Sequence, residues 1–227
     1  MRWEKAFKSA FPVSIPVLTG YMVLGIAYGI LMSTKGYGPL WTLLFSMLCF
    51  CGSMQFAAIP FLVGKFQPVY VFLLALMVNA RHLFYALSML EKYSGTGRLK
   101  WLCIYLMSDE TFAINSTAEV PEDMDRGKFY AAVSVLDWSY WVLASVIGNV
   151  IGNLITINTA GLDFALTALF VVLFMEQLKN RKNAFCGVLG IVAAIVALII
   201  FGADNLIIPA MVIIFAGLII GRDRLCD

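Results

Sequence analysis

The chain has 227 residues, of which 61% are hydrophobic and 13% charged, with a formal net charge of +2. Water-soluble domains carry about 25% charged residues, and the longest polar stretch here, 117–128, leaves no room for one. Apolar runs long enough to cross a bilayer recur along the whole length, so the chain reads as an all-α, polytopic integral membrane protein with a single transmembrane domain over 1–227.

The basic stretch MRWEKAFKSAF leads into an apolar run at 11–33. That run is too long for a signal peptide and lacks a small-residue cleavage site, so it reads as an uncleaved first span with a cytoplasmic N-terminus. Further spans are predicted at 39–64, 67–90, 99–118, 128–150, 161–178, 184–202 and 205–221. They make eight, with seven as the alternative, because the fourth contains the barely apolar LMSDETFAINST. With both termini cytoplasmic, eleven Lys and Arg fall on inside loops and four outside, the positive-inside tendency. The exception is the loop with Glu91, Lys92, Arg98 and Lys100. TGYMVLGIAYG at 19–29 aligns with WSYWVLASVIG at 138–148, hinting at half-repeats 11–118 and 128–221 with broken helices near the midplane. The pairs Gly25 with Gly29, Gly148 with Gly152, and Gly217 with Gly221 have GxxxG spacing and predict close helix approach, within the chain or with a partner.

Polar residues inside these spans carry the functional signal. In the second span, Gly52 and Pro60 favour local irregularity, with Ser53 and Gln55 as neutral hydrogen-bonding groups between them. A broken helix there frees amides and carbonyls for a substrate carboxylate or ammonium. Helix packing through Gly52 and hydrogen bonding by Gln55 explain the same residues structurally. The third span holds Asn79, Arg81 and His82, the only histidine. An arginine at this depth costs roughly 2.5–3.5 kcal/mol on insertion scales. On an ideal helix Arg81 lies about 200° from Asn79 and about 100° from His82. The three cannot serve one cavity unless the helix unwinds, and a snorkelling Arg81 is the structural alternative.

The fourth span carries Asp109 and Glu110, two acids in need of a cation, a proton or water. Ser108, Thr111 and Asn115 form one polar stripe, with Asp109 and Ser116 beside it. Arg81 is the intramembrane cation expected to pair with Asp109 or Glu110, and Asp137 of the fifth span competes for it. Glu176, before the basic cluster Lys179, Arg181 and Lys182, serves interfacial salt bridges as readily as function. The five cysteines form no CxxC pair, so neither a disulfide framework nor a metal site is implied. No GxSxG, HExxH or Walker loop is present, and no basic patch with aromatics points to nucleic acid. No catalytic residue and no cofactor is therefore expected, and the chain is read as no enzyme.

GSMQFAAIPFLVG at 52–64, NARHLFYALSM at 79–89 and GLDFALTALFVVLFMEQLKN at 161–180 resemble the AzlC family of bacterial inner-membrane proteins, the large subunit of branched-chain amino-acid exporters. The resemblance implies export of hydrophobic amino acids across the inner membrane with a small AzlD-type membrane subunit. Such a substrate is a zwitterion with an apolar side chain, held in a protein surrounded by membrane lipid. Arg81 or free amides near Gly52 and Ser53 suit its carboxylate. Gln55, Asn79, Asp109 or Glu110 suit its ammonium, and Phe56, Phe84 and Tyr85 its side chain. His82, Asp109, Glu110, Asp137 and Glu176 are the candidates for proton coupling or a charge network. The rival readings are a non-transporting assembly subunit and a membrane enzyme built on His82 with Asp109.

Overall fold

The computed structural model describes residues 3–65, 67–120, 124–155, 171, 175, 178, 181–202 and 206–220. Among these residues every regular element is a helix. They run α1 (Trp3–Thr34), α2 (Pro39–Leu48), α3 (Gly52–Val63), α4 (Pro68–Val78), α5 (Arg81–Met89), α6 (Leu99–Tyr105), α7 (Asp109–Thr117), α8 (Arg126–Leu154), α9 (Arg181–Phe201) and α10 (Ile207–Ile220). Two of the described helices, α1 and α8, are long and apolar enough to cross a membrane alone, and the pair α4 and α5 qualifies if taken as one broken span. Most of the predicted sixth span, Glu176 included, lies outside the described residues.

Three predicted spans are interrupted near their middles, at Cys49–Cys51, at Asn79–Ala80 and at Leu106–Ser108. The first break falls before Gly52, as its flexibility invites, but Pro60 causes none: it sits inside α3, three residues before its end. Pro39 starts α2, where its missing N–H costs nothing. Asp125 starts α8 by accepting from the Lys128 amide, 3.0 Å.

The helices gather into two compact units, residues 1–66 with 78–159, and residues 67–77 with 160–227. The first is built on α1 packed along α8. Contacts advance together on both helices: Ser14 Oγ lies 3.0 Å from the Tyr140 hydroxyl, Tyr21 packs on Trp141, Gly25 faces Ala144, and Gly29 faces Ser145 and Asn149. The two helices therefore run parallel. Two spanning helices do so only with an odd number of crossings between them.

A Cβ on Gly29 would strike the backbone of Ser145 and Asn149, and one on Gly148 the backbone of Ile26. The GxxxG pairs of α1 and α8 are thus each other's partners within the chain. Further along, buried Asn149 donates to Thr42 Oγ1 and to the Tyr37 carbonyl, both at 2.8 Å, tying α2 to α8. Beyond the other end, Ala6, Ala10, Met89, Tyr93, Cys103, Met107 and Phe129 form an apolar core. Lys92, one of the cations that break the charge pattern, donates to the Asn115 and Ser116 carbonyls at the C-terminus of α7. A cation there meets the negative end of the helix dipole.

In the second unit α9 packs on α10, with Gly217 against Leu189 and Ala193 and Ala197 fully buried. Ile191, Ile195, Ile199 and Phe215 are exposed, apolar surface suited to lipid.

The close approach sets an expected difference between glycines. Gly148→Ala should lower stability by about 1–3 kcal/mol, the cost of overpacking. Gly20→Ala, in an open part of α1 with nothing within 4 Å, should be neutral or raise stability by up to roughly 1 kcal/mol. Thermal unfolding of the two variants in detergent checks the contrast.

Candidate functional site

Each of the three mid-span breaks is followed by a helix N-terminus within the first unit, and the first turns of these helices meet. Arg81, the first residue of α5, places Nη1 2.6 Å from Asp109 Oδ2, on the first residue of α7. Its Nη2 donates to Ser53 Oγ in the first turn of α3, 3.0 Å. The Tyr85 hydroxyl, one turn along α5, donates to Asp109 Oδ1, 2.9 Å. Asp109 is thus held on both oxygens, at a helix start where a negative charge is favoured. Of the possible partners for Arg81, the structure selects Asp109 over Glu110 and Asp137.

The pair is not sealed. The Arg81 and Asp109 side chains keep 39% and 37% of their surface accessible. In a spanning region such charges need a cavity or a ligand, because lipid cannot solvate them. Nε of Arg81 has no hydrogen-bond partner among the described residues. The first amides of α3 are free of intrahelical acceptors by helix geometry, since the ladder begins with Gln55 N–H donating to the Cys51 carbonyl, 2.9 Å. The Tyr85 ring stacks on Phe112 at 4.4 Å, giving the charged pair an aromatic flank.

Glu110 turns away from Arg81 into a buried polar cluster between α1, α7 and α8. Its Oε2 accepts from the Tyr21 hydroxyl, 2.6 Å. Tyr21 lies 2.8 Å from Ser108 Oγ, which is 3.1 Å from Thr111 Oγ1. Thr111 donates to Asp137 Oδ2, 2.7 Å. Ser108 also caps α7 by accepting from the Thr111 amide, 3.1 Å. The polar stripe of Ser108, Thr111 and Asn115 therefore faces the interior, where all three are buried.

Several expected site residues take structural positions. Gln55 is fully buried, accepting from Trp141 Nε1 at 2.7 Å and donating to Ser46 Oγ at 3.1 Å. Both ends of its amide are occupied by the chain itself. A Cβ on Gly52 would come 2.9 Å from the Trp141 ring, so this glycine is set by packing. Phe56 is buried against Tyr28 at 5.3 Å between ring centres, whereas Phe84 is exposed. At the break, the Asn79 carbonyl accepts from the His82 amide at 2.9 Å and lies 3.3 Å from His82 Nδ1. His82 packs edge-on to Tyr85 at 5.6 Å and reaches neither acid of α7 in any described contact. Glu176 lies outside the described residues. Among the described residues no group of His, Cys, Asp and Glu is arranged to hold a metal.

Tyr21 and Trp141 are the polar contributors that sequence reasoning overlooked. Both fall in the two aligned segments at 19–29 and 138–148, read there only as apolar similarity. Aromatic residues with a hydrogen-bonding end beside in-span acids were the available signal.

The family described as AzlC protein matches residues 16–155, which hold the breaks, the ion pair and the buried cluster. The branched-chain amino acid transport protein AzlC of Bacillus subtilis is 46% identical over 220 residues, covering 97% of this chain and 87% of that protein. A membrane protein of Haemophilus influenzae is 39% identical over 92% of this chain and 86% of its own length. The inner membrane protein YgaZ of Escherichia coli is 25% identical over 88% of this chain and 84% of its own. No solved structure matches. With a family match over more than half its length and relatives of this similarity aligned nearly end to end, the chain is a membrane protein of the AzlC family.

Proposed function

We propose that this chain is a secondary transporter that exports branched-chain or similar hydrophobic amino acids across the bacterial inner membrane, coupled to protons and aided by a small AzlD-type membrane subunit. The observation that carries the reading is the half-accessible Arg81–Asp109 pair at three converging helix starts. A zwitterionic amino acid is the electrostatic complement of that pair. Its carboxylate takes the place of Asp109 on Arg81, and its ammonium takes the place of Arg81 on Asp109. Each protein charge exchanges one opposite partner for another, so the ligand enters without leaving a charge unpaired in a poorly solvating region. The amides at the start of α3 and Ser53 Oγ supply further donors to the carboxylate. Tyr85 orients Asp109 and, with Phe112, offers aromatic surface to the apolar side chain. The break at Asn79–Ala80 makes Arg81 the first residue of α5.

Gly52, Gln55 and Phe56 support the site from behind: they fasten α3 to Trp141 of α8, so that its first turn keeps its place beside Arg81. The Bacillus subtilis relative, named as a branched-chain amino acid transport protein, supports the substrate class. The distribution of Lys and Arg supports cytoplasmic termini. Glu110 and Asp137, buried or half-buried acids outside the ion pair, support the coupling to protons.

Arg81→Ala and Asp109→Asn should each weaken leucine efflux. Losing one charge-assisted hydrogen bond is worth about 1.5–3 kcal/mol, hence a roughly ten- to hundredfold loss in apparent affinity, read as efflux against internal leucine in everted vesicles. Wild-type efflux from both variants removes the site. Gln55→Ala should act differently. It leaves the buried Trp141 N–H without its acceptor, so the protein loses about 1–3 kcal/mol of stability, seen in thermal unfolding, with little change in apparent affinity. Collapsing the pH gradient should slow leucine efflux in the same vesicles, and an unchanged rate rules out proton coupling.

A further inference from the structure

We infer that the hydroxyls of Tyr21, Ser108 and Thr111 form a proton relay joining Glu110 to Asp137, and that this relay holds one mobile proton between the two carboxyl groups. The inference rests on the proton-coupled reading above and names the path the proton takes. The chain of oxygens is continuous: Glu110 Oε2 to Tyr21, 2.6 Å; Tyr21 to Ser108, 2.8 Å; Ser108 to Thr111, 3.1 Å; Thr111 to Asp137 Oδ2, 2.7 Å. Every link is within hydrogen-bonding distance, and Tyr21, Ser108, Thr111 and Asp137 are buried.

The chain has four oxygen-to-oxygen links. A hydroxyl has a single proton to donate and an ionised carboxylate has none. Three hydroxyls therefore fill three links. With both acids ionised, one pair of oxygens would face each other at close range with no proton between them, an arrangement that is repulsive and, when buried, costly. A fourth proton, carried by one of the two carboxyl groups, completes the set.

Two complete arrangements exist. In one, Glu110 holds the proton and donates to Tyr21, Tyr21 to Ser108, Ser108 to Thr111, and Thr111 to Asp137. In the other, every donation is reversed and Asp137 holds the proton. Passing from the first to the second breaks one O–H bond at Glu110 and forms one at Asp137. Each hydroxyl gives up its own proton and receives its neighbour's. No heavy atom has to travel, and the total charge does not change.

The two ends differ in what they face. Glu110 is half-buried and is adjacent in sequence to Asp109, whose charge is matched by Arg81. A ligand that displaces Arg81 from Asp109 alters the field at the Glu110 end of the relay. Asp137 is fully buried, and its Oδ1 has no protein donor among the described residues. Asp109, next to Glu110 in sequence, joins Arg81 and Tyr85 at this end of the relay; the acidic and basic groups Glu4, Lys5 and Lys8 of α1 and Arg126 and Lys128 of α8 lie toward the starts of those helices.

Infrared difference spectroscopy on the purified protein in lipid nanodiscs, in light and heavy water at neutral pH, tests the shared proton without any transport. The wild type should show the carbonyl stretch of a protonated carboxyl group. Thr111→Val should shift that band, Thr111→Ser should leave it in place, and the double variant Glu110→Gln, Asp137→Asn should abolish it. Absence of a band lost in the double variant, or a band unmoved by Thr111→Val, overturns the relay. In liposomes, Thr111→Val should abolish the proton movement that accompanies leucine, and Thr111→Ser should restore it. Wild-type coupling in Thr111→Val also overturns the relay. Leucine movement by the wild type with no accompanying protons overturns the coupling reading instead, and the infrared measurement then decides the relay alone.

Discussion

The close approach of α1 and α8 is the interaction on which the rest of the first unit depends. Gly29 lies against the backbone of Ser145, Gly148 and Asn149, and Gly25 lies against the Ala144 methyl. In lipid, where burial of apolar surface gives little drive for helices to associate, such backbone proximity and the dispersion contacts it allows are the main attraction. The glycine contacts also set the register of the two helices. With Gly29 beside Gly148, Tyr21 comes beside Trp141 at 5.3 Å, and the face of α8 that carries Asp137 is turned toward α7. After a register shift by one turn, α7 could no longer reach both Tyr21 of α1 through Ser108 and Asp137 of α8 through Thr111.

The three broken spans have a common physical logic. Backbone that leaves the helical ladder inside a membrane exposes polar groups that lipid cannot satisfy. The structure brings these breaks together, so that the first turn of each following helix finds partners on the others. Ser53 and Asp109 both bind Arg81, and Ser108 caps α7 while joining the buried hydroxyl chain. One polar region thereby satisfies three interruptions, and the same region is where a zwitterion finds opposite charges and free donors. Division of labour between the neighbouring acids follows from helix geometry. Asp109 and Glu110 are about 100° apart around α7, so one faces Arg81 and the other faces Tyr21.

Much of the site was legible without coordinates. An arginine inside an apolar run requires a countercharge, and few acids lie in other spans, so cost alone narrowed the partner of Arg81 to Asp109, Glu110 or Asp137; the structure selected Asp109. The angles of an ideal helix left two outcomes near Asn79, an unwound segment or an Arg81 turned away from Asn79 and His82, and the helix breaks at Asn79–Ala80. The fate of Gln55 was not legible, because its partner Trp141 lies 86 residues away and an amide in a span serves packing or substrate equally well. His82 drew attention by being the lone histidine, yet its described contacts are local, to Asn79 and Tyr85.

The sequence alone determined that this is a membrane protein and which charges need partners, because hydropathy and the cost of an intramembrane charge act locally along the chain. It also supplied the GxxxG spacings but not their partners. Only the tertiary structure decided that these glycines meet each other, that Gln55 fastens α3 to α8, and that Tyr21 completes a line of oxygens between Glu110 and Asp137. These facts depend on the relative rotation and register of helices more than 80 residues apart in the chain. No periodicity within one segment encodes that rotation; it is set by which faces can approach closely enough to pack.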